Sequence, residues 1–129
     1  MDDMTVQKKR DFIVSCTAGC GVDITNGDGK KGGNVRTKGA KKIAWTNATS
    51  QSNCYLVFRQ LPADGSPEDP APVWPFTDHP PADRLLVLPL DARVERVLNS
   101  VAQVECVEYV VLGADKQPLL DPVIIIEPN

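Results

Sequence analysis

The 129-residue sequence contains one histidine, two methionines and only 5% aromatic residues. Its apolar runs are no longer than a β-strand, well short of the roughly 20 residues that a membrane-spanning helix needs. A secretory signal is also missing, since the acidic start Met1–Met4 is followed by a basic stretch and then by only three apolar residues. These absences predict a soluble, cytoplasmic protein that does not act at a membrane.

In other respects the composition is that of a folded domain, with 42% hydrophobic and 24% charged residues. A chain of this length fits one domain that buries roughly two-thirds of its unfolded surface. The apolar residues are mainly Val, Ile and Leu, which favour β-strands, and eleven prolines would interrupt long helices. We therefore expect a single all-β domain over residues 1–129, with residues 1–10 as a flexible N-terminal tail.

Strand signals recur along the chain between turn-forming residues. Residues 41–47 and 54–58 alternate between apolar and polar side chains, which is typical of strands with one buried face. Residues 104–112 give the strongest strand signal, and residues 121–126 are rich in β-branched side chains. Residues 84–90 are almost continuously apolar, which predicts a strand buried on both faces. The whole pattern predicts an antiparallel β-sandwich of about seven strands.

Two segments predict long loops. Residues 26–40 are rich in glycine, which predicts a loop or a loose hairpin. Residues 61–81 contain seven of the eleven prolines and predict a crossover loop. The middle of this loop carries Val73, Trp74 and Phe76, which we expect to pack on the core; if exposed, they would form an apolar patch for a partner.

The order of these segments resembles the cupredoxin-like family of Greek-key β-sandwiches. The run Ile43–Asn47 is similar to the family's strand that ends in Val-x-Trp-x-Asn, and Val107–Val111 is similar to its strand centred on Tyr-x-Tyr. The runs Leu86–Leu90 and Asp121–Ile126 resemble its hydrophobic strand and its C-terminal strand. The resemblance covers roughly residues 41–127 and implies a Greek-key sandwich, with an immunoglobulin-like sandwich as the alternative.

The chain departs from this family at the copper ligands. A blue-copper site needs two imidazoles and one thiolate, usually with a weak thioether ligand. After the Trp-x-Asn strand, where the family's first histidine would fall, the chain has Gln51, Ser52, Asn53 and Cys54. The other ligands would lie near the last strand, but residues 112–121 contain no Cys, His or Met. The resemblance therefore implies a metal-free member with no cofactor.

Four cysteines, Cys16, Cys20, Cys54 and Cys106, leave a second possibility open. In a cytoplasmic chain they predict thiols rather than disulfides, and Cys54 and Cys106 lie in apolar strands where cysteine acts as a small buried hydrophobe. The alternatives are at least one disulfide, or a zinc or copper site that uses these thiols and perhaps His79, if the fold brings them together.

His79 is the only candidate for acid–base chemistry. It follows Asp78, and an Asp–His pair would orient a general base towards a hydroxyl such as Ser66 or Thr77. However, no nucleophile occupies a recognisable strand–turn–helix motif, and neighbours in sequence rarely form a catalytic triad. A surface histidine is the simpler interpretation, so a small His-dependent enzyme ranks last.

The charge of the chain is unevenly distributed. Residues 1–60 carry ten Lys and Arg against five Asp and Glu, whereas residues 61–129 carry four against twelve. The stretch from residue 27 to residue 42 contributes six of these cations: Lys30, Lys31, Arg36, Lys38, Lys41 and Lys42. No helix start follows to form a phosphate loop, and no aromatic residues are interleaved for base stacking, which argues against nucleic acid.

Together these observations predict a non-catalytic interaction module rather than an enzyme. The fold has a sound core and two loops longer than stability requires, and no catalytic constellation is visible. The expected partner is another protein or a second copy of the chain. A cysteine-based metal-binding protein is the alternative.

Overall fold

The computed structural model describes residues 8–16, 22–49, 52–62, 71–113, 118–120 and 122–129. Within these ranges the chain forms one 3-10 turn (Lys8–Arg10) and eleven strands. The strands are β1 (Asp11–Cys16), β2 (Val22–Asn26), β3 (Val35–Lys38), β4 (Lys42–Ala48), β5 (Cys54–Gln60), β6 (Ala71–Pro72), β7 (Leu85–Leu88), β8 (Arg93–Val97), β9 (Glu105–Leu112), β10 (Pro118–Leu120) and β11 (Val123–Glu127). No helical segment in the described ranges has the length and apolar character needed to cross a bilayer.

The strands form two sheets. Sheet A has the order β2-β1-β4-β8, and sheet B has the order β3-β11-β9-β5-β6. Two further strands join sheet B, because β7 also pairs with β5 and β10 pairs with β9. Aromatic side chains of β1 and β4 contact those of β5 and β9, so the sheets pack face to face. The prediction of an all-β, sandwich-like fold is confirmed.

The predicted strand number and orientation were wrong. The described residues hold eleven strands rather than about seven, and two pairs, β1 with β4 and β3 with β11, are parallel. The parallel pairs arise because the chain leaves sheet A after β2, adds β3 to sheet B and returns to sheet A with β4 beside β1. Alternation of apolar side chains is the same in parallel and antiparallel strands, so the sequence pattern does not reveal this crossing.

An aromatic cluster occupies the centre of the core. Trp45 lies 5.4 Å from Tyr109 between ring centroids, and Phe58 lies 4.9 Å from Phe76. Trp74 is half-buried against Phe76, at 5.3 Å. The described part of the proline-rich segment therefore folds onto the core, as predicted.

Two predictions about burial were wrong. The strand β7 is not buried on both faces: it is an edge strand, and Val87 is 42% exposed. Residues 8–10 were expected in a flexible tail, yet Arg10 is buried and its Nη1 donates to Thr37 Oγ1 at 3.2 Å. The Gly27 N–H also donates to the Lys8 carbonyl at 2.8 Å. The turn over residues 8–10 is thus part of the folded domain.

The Tyr109 hydroxyl attaches the glycine-rich segment to the core. It donates to the Gly33 carbonyl at 2.7 Å, although the two residues are 76 positions apart. Burial raises the pKa of Tyr109 far above its ordinary value of about 10, and the Trp45 indole opposes this only weakly. The phenol therefore stays protonated in the folded chain, where it acts as a donor.

This pKa shift predicts a loss of stability in alkaline solution. Because the unfolded chain loses the phenol proton first as pH rises, the free energy of unfolding should fall from about pH 10 upward, by about 1.4 kcal/mol per pH unit for this group. A Tyr109→Phe variant lacks this contribution. Urea unfolding of both proteins between about pH 8 and pH 11 should show their stability difference narrowing above pH 10, and a constant difference would contradict the assignment.

Candidate binding surface

The structure separates two of the four cysteines. Cys54 immediately precedes the Tyr55–Leu112 pair at one end of the β5–β9 ladder, and Cys106 lies just past its other end. Seven residues of extended strand at about 3.3 Å each place them about 23 Å apart. A disulfide needs Cα atoms within about 7 Å and a zinc ion needs sulfurs at about 2.3 Å, so these two thiols share neither.

The other two cysteines leave the metal hypothesis partly untested. Cys16 ends β1 in sheet A, but its side chain and the whole of Cys20 lie outside the described residues. Among the residues that are described, no three His, Cys, Asp or Glu side chains come close enough to hold a metal ion. The alternative of a metal site that uses Cys16 and Cys20 therefore stays a prediction.

His79 lies exposed in the loop between β6 and β7. Its neighbour Asp78 is already engaged, since Asp78 Oδ1 accepts from Trp74 Nε1 and its Oδ2 lies 3.2 Å from Arg96 Nε. Asp78 thus attaches the loop to β8 instead of orienting the imidazole. Ser66, one of the proposed nucleophiles, lies outside the described residues.

The predicted basic segment is partly neutralised. Arg36 Nη1 lies 3.1 Å from Glu127 Oε2, and Lys42 Nζ lies 3.8 Å from Glu95 Oε1. Lys30 and Lys31 remain exposed in a tight turn, where the carboxamide oxygen of Asn26 accepts backbone N–H groups. Surface cations of this kind carry charge into solvent and form no enclosed anion site.

Asn47 binds three backbone segments at the end of the sandwich where the resemblance would place copper. Its side chain is fully buried, and Nδ2 donates to the Ser52 carbonyl at 2.9 Å and to the Leu88 carbonyl at 3.0 Å. Its Oδ1 accepts from the backbone N–H and the hydroxyl of Thr49, at 3.1 and 2.7 Å. One amide therefore fixes the end of β4, the turn before β5 and the end of β7.

The expected position of the first copper ligand is also used structurally. Asn53 Oδ1 accepts the Leu90 N–H at 2.9 Å, and the next residue, Cys54, is buried in the core. Gln51 lies outside the described residues. Asn53 thus holds the backbone here, and an amide oxygen is not one of the imidazole, thiolate or thioether ligands that a blue-copper ion needs.

The outer face of sheet B carries an apolar patch, which we call the apolar face. It is formed by outward-pointing side chains of three adjacent strands: Leu85, Val87, Tyr55, Val57, Val110 and Leu112. They form two cross-strand rows, one through Val57 and one through Tyr55. Val87 is exposed, Val110 is buried, and the other four members are half-buried.

One row along the same strands is charged. Arg59 of β5 lies directly opposite Glu108 of β9, next to the row through Val57. Arg59 is exposed and Glu108 is half-buried. Beyond this pair the face becomes apolar again at Cys106 and Ile125, which are also cross-strand partners.

The outer face of sheet A is very different, because a network of charged side chains covers it. Arg93 lies 3.3 Å from both Asp11 of β1 and Glu95 of β8. These ion pairs cross over β4, where Ala44 is fully buried beneath them. Burial alone would lower the pKa of Arg93, but its hydrogen bonds and ion pairs with Asp11 and Glu95 raise it. The charged groups of this network thus pair with one another within the chain.

A cleft of about 500 Å³ opens at the far end of sheet B, beside Cys106. It is lined by Gln60, Leu61, Pro62, Gln103, Val104, Glu105 and Cys106. Gln60 Nε2 donates to the Cys106 carbonyl, and Val104 is half-exposed at the rim. The cleft extends the outer surface of sheet B but assembles no reactive group around its thiol.

The sequence held a signal for the apolar face that the strand assignments did not use. In β5 and β9 most outward positions are apolar as well as the inward ones, with Arg59 and Glu108 as the charged exceptions, whereas a strand with one solvated face alternates with polar residues. Apolar side chains on both faces indicate that something covers the second face. No protein-family model, curated protein or solved structure matches the chain, so its function has to be inferred from its own residues.

Proposed function

We propose that the chain is a non-catalytic protein-interaction module, built on a metal-free cupredoxin-like scaffold and using the apolar face to bind its partner. The observation that carries this proposal is the contrast between the two outer sheet faces. One carries a network of ion pairs, and the other carries six neighbouring apolar side chains, of which Val87 is exposed, four are half-buried and Val110 is buried.

The scaffold part of the proposal rests on the segments that carry the family resemblance. They form β4, β5, β7, β9 and β11, and all belong to the two sheets. Trp45 and Tyr109, the aromatic residues of the two motif strands, are in edge-to-face contact across the core. A Greek-key, cupredoxin-like arrangement accounts for the order in which these segments follow one another.

The metal-free part rests on Asn47 and Asn53. Both side chains hold the backbone at the end of the sandwich where this family would bind copper. Such a role stabilises the fold and supplies no imidazole or thioether ligand. The apolar side chains on the outer surface of sheet B, by contrast, have no such role in stabilising the single chain.

The interaction part rests on the size and continuity of the apolar face. Single exposed apolar residues are common on proteins, but contiguous patches mark binding surfaces. Val87 is the most exposed member of the patch, at 42%, and Ile13 on the outer face of sheet A is almost equally exposed, at 41%. Val87 lies opposite the apolar Tyr55, whereas the cross-strand partners of Ile13 are Thr25 and Thr46, so Val87 and Ile13 form a matched pair for experiment.

Photo-crosslinking in the organism of origin would test the proposal. With benzoylphenylalanine at position 87, we expect protease-sensitive adducts, and far fewer of them when the probe-bearing chain also carries Val57→Asp. The same probe at position 13 should give at least about tenfold fewer adducts. Equal yields from both positions, or adducts sensitive only to nuclease, would refute a protein-binding role for this face.

A further inference from the structure

We infer that the chain has a second docking surface, at the outer edge of β3, which binds an acidic segment of another protein as an added β-strand. We call this surface the basic edge. It consists of β3, the turn before β3 and the 3-10 turn. Its exposed cations are Lys8, Lys9, Lys30, Lys31, Arg36 and Lys38. Because β3 is one edge of sheet B and Val87 of the apolar face lies at the other edge, the basic edge goes beyond the proposed function.

The fold brings the cations of three segments together. The Gly27 N–H donates to the Lys8 carbonyl at 2.8 Å, and Lys30 follows in the same turn, so the 3-10 turn and this turn lie side by side. The buried Arg10 donates from Nη1 to Thr37 Oγ1 at 3.2 Å, which attaches the 3-10 turn to β3. The basic character therefore belongs to one surface of the folded chain and not only to a stretch of its sequence.

Most of this positive charge is not neutralised by the described part of the chain. Of the six cations, only Arg36 forms an ion pair there, with Glu127 at 3.1 Å. Two further acidic residues lie nearby, the half-buried Asp23 on β2 and the exposed Asp28 in the turn, so cations outnumber acidic groups at this edge. Because the whole chain carries a net charge of −3, the surplus of positive charge is local, and it attracts acidic partners to this edge.

The backbone of β3 offers hydrogen bonds along the same edge. The Gly39 N–H donates to the Glu127 carbonyl, and because bonding to one neighbour alternates along a strand, the N–H and C=O groups of Thr37 also face β11. Those of Arg36 and Lys38 face away from β11, and no hydrogen bond joins them to another described residue. An added strand would satisfy these groups, which is how exposed sheet edges bind extended peptides.

The outward side chains of β3 select an acidic strand. Arg36 and Lys38 alternate with two buried residues, so both side chains project from the outer face of the sheet. Every second side chain of an added strand lies beside them, where carboxylates form cross-strand pairs with the two cations. A second copy of β3 would instead place like charges side by side, which is unfavourable. Nucleic acid fits less well, because residues 26–40 contain no aromatic side chain on which bases could stack.

Fluorescence anisotropy with a labelled octapeptide of alternating Glu and Thr tests the basic edge on the purified full chain. We expect saturable binding at about 50 mM salt, at least about tenfold tighter than that of the same peptide with Gln in place of Glu. Lys38→Glu should raise the Kd about tenfold, because it places like charges beside one another. The matched control Arg84→Glu changes an exposed cation next to β7, at the opposite edge of sheet B, and should stay within about twofold of the native Kd.

A second pair of variants distinguishes strand addition from charge alone. Lys38→Gln and Lys38→Pro remove the same charge, but the proline also removes the outward N–H, a change that an edge strand tolerates. We expect the Kd of Lys38→Pro to be at least about fivefold higher than that of Lys38→Gln. Thermal unfolding checks that the variants fold. A peptide N-methylated at every residue keeps its charges but donates no backbone hydrogen bond, and it should bind the native chain at least about tenfold more weakly than its parent.

Several results would overturn the inference. They are the absence of saturable peptide binding, equal losses in Lys38→Glu and Arg84→Glu, and an N-methylated peptide that binds as tightly as its parent. A labelled octathymidylate that binds more tightly than the peptide would also overturn it and would make the basic edge a nucleic-acid site. Because Lys38 and Val87 lie at opposite edges of sheet B, none of these results would change the crosslinking expected from position 87, on which the proposed function depends.

Discussion

Replacing Asn47 with alanine is expected to lower the free energy of unfolding by about 3 to 4 kcal/mol. The substitution removes four hydrogen bonds at a fully buried site and leaves the carbonyls of Ser52 and Leu88 without this donor. Each buried polar group left without a partner costs about 1 to 3 kcal/mol. Urea unfolding followed by circular dichroism would measure the change.

Asn53→Ala is the matched control for this prediction. Asn53 lies at the same end of the sandwich but is exposed. Its Oδ1 accepts one hydrogen bond, from the Leu90 N–H. Water can replace that acceptor, so we expect a loss of only about 1 kcal/mol. Equal losses in the two variants would show that Asn47 does not have the structural role assigned to it.

Replacing Gly33 with alanine is expected to cost about 3 kcal/mol of unfolding free energy. A Cβ at this position would overlap the Tyr109 hydroxyl and lie 2.8 and 2.9 Å from the Cγ and Cβ atoms of Pro122. Neither neighbour can move easily, because the proline ring is rigid and the phenol is buried. The substitution would also disturb the hydrogen bond from Tyr109 to the Gly33 carbonyl.

Gly29→Ala separates this steric effect from the general cost of losing a glycine. Gly29 has a φ of 82° but nothing within 4 Å of its would-be Cβ, so we expect a loss of only about 1 to 2 kcal/mol. A double-mutant cycle with Tyr109→Phe adds a second check. Because both changes act on one contact, the combined loss should be smaller than the sum of the single losses, and strict additivity would contradict the proposed contact.

The strands that form the core were predictable because their side chains alternate. Val107, Tyr109 and Val111 share the inner face of β9, as the sequence predicts, and Trp45 lies at the centre of the core. When one face of a strand is buried, apolar side chains recur at every second residue, whichever strand lies beside it and in whichever direction that strand runs. This information establishes the class of fold and the identity of many core residues.

The features that depend on pairing between distant segments were not predictable. The sequence around Leu85–Leu88 suggests a central strand, but β7 lies at an edge, and its outward apolar side chains belong to the apolar face. The role of Asn47 was hidden for a similar reason. Its acceptor on Leu88 lies 41 positions away and is a backbone carbonyl, which carries no sequence signal.

The parallel pairing of β3 with β11 has a consequence for the order of folding. Val35 pairs with Ile124, so closing this edge of sheet B requires contact between residues nearly 90 positions apart. Loop closure over such a distance costs entropy before any contact repays it, which slows folding. During synthesis, the backbone groups of β3 that pair with β11 stay unpaired until residues 123–127 have been made. The alternation of Arg36 and Lys38 with buried residues puts positive charge on this strand, which protects it from pairing with other chains until β11 arrives.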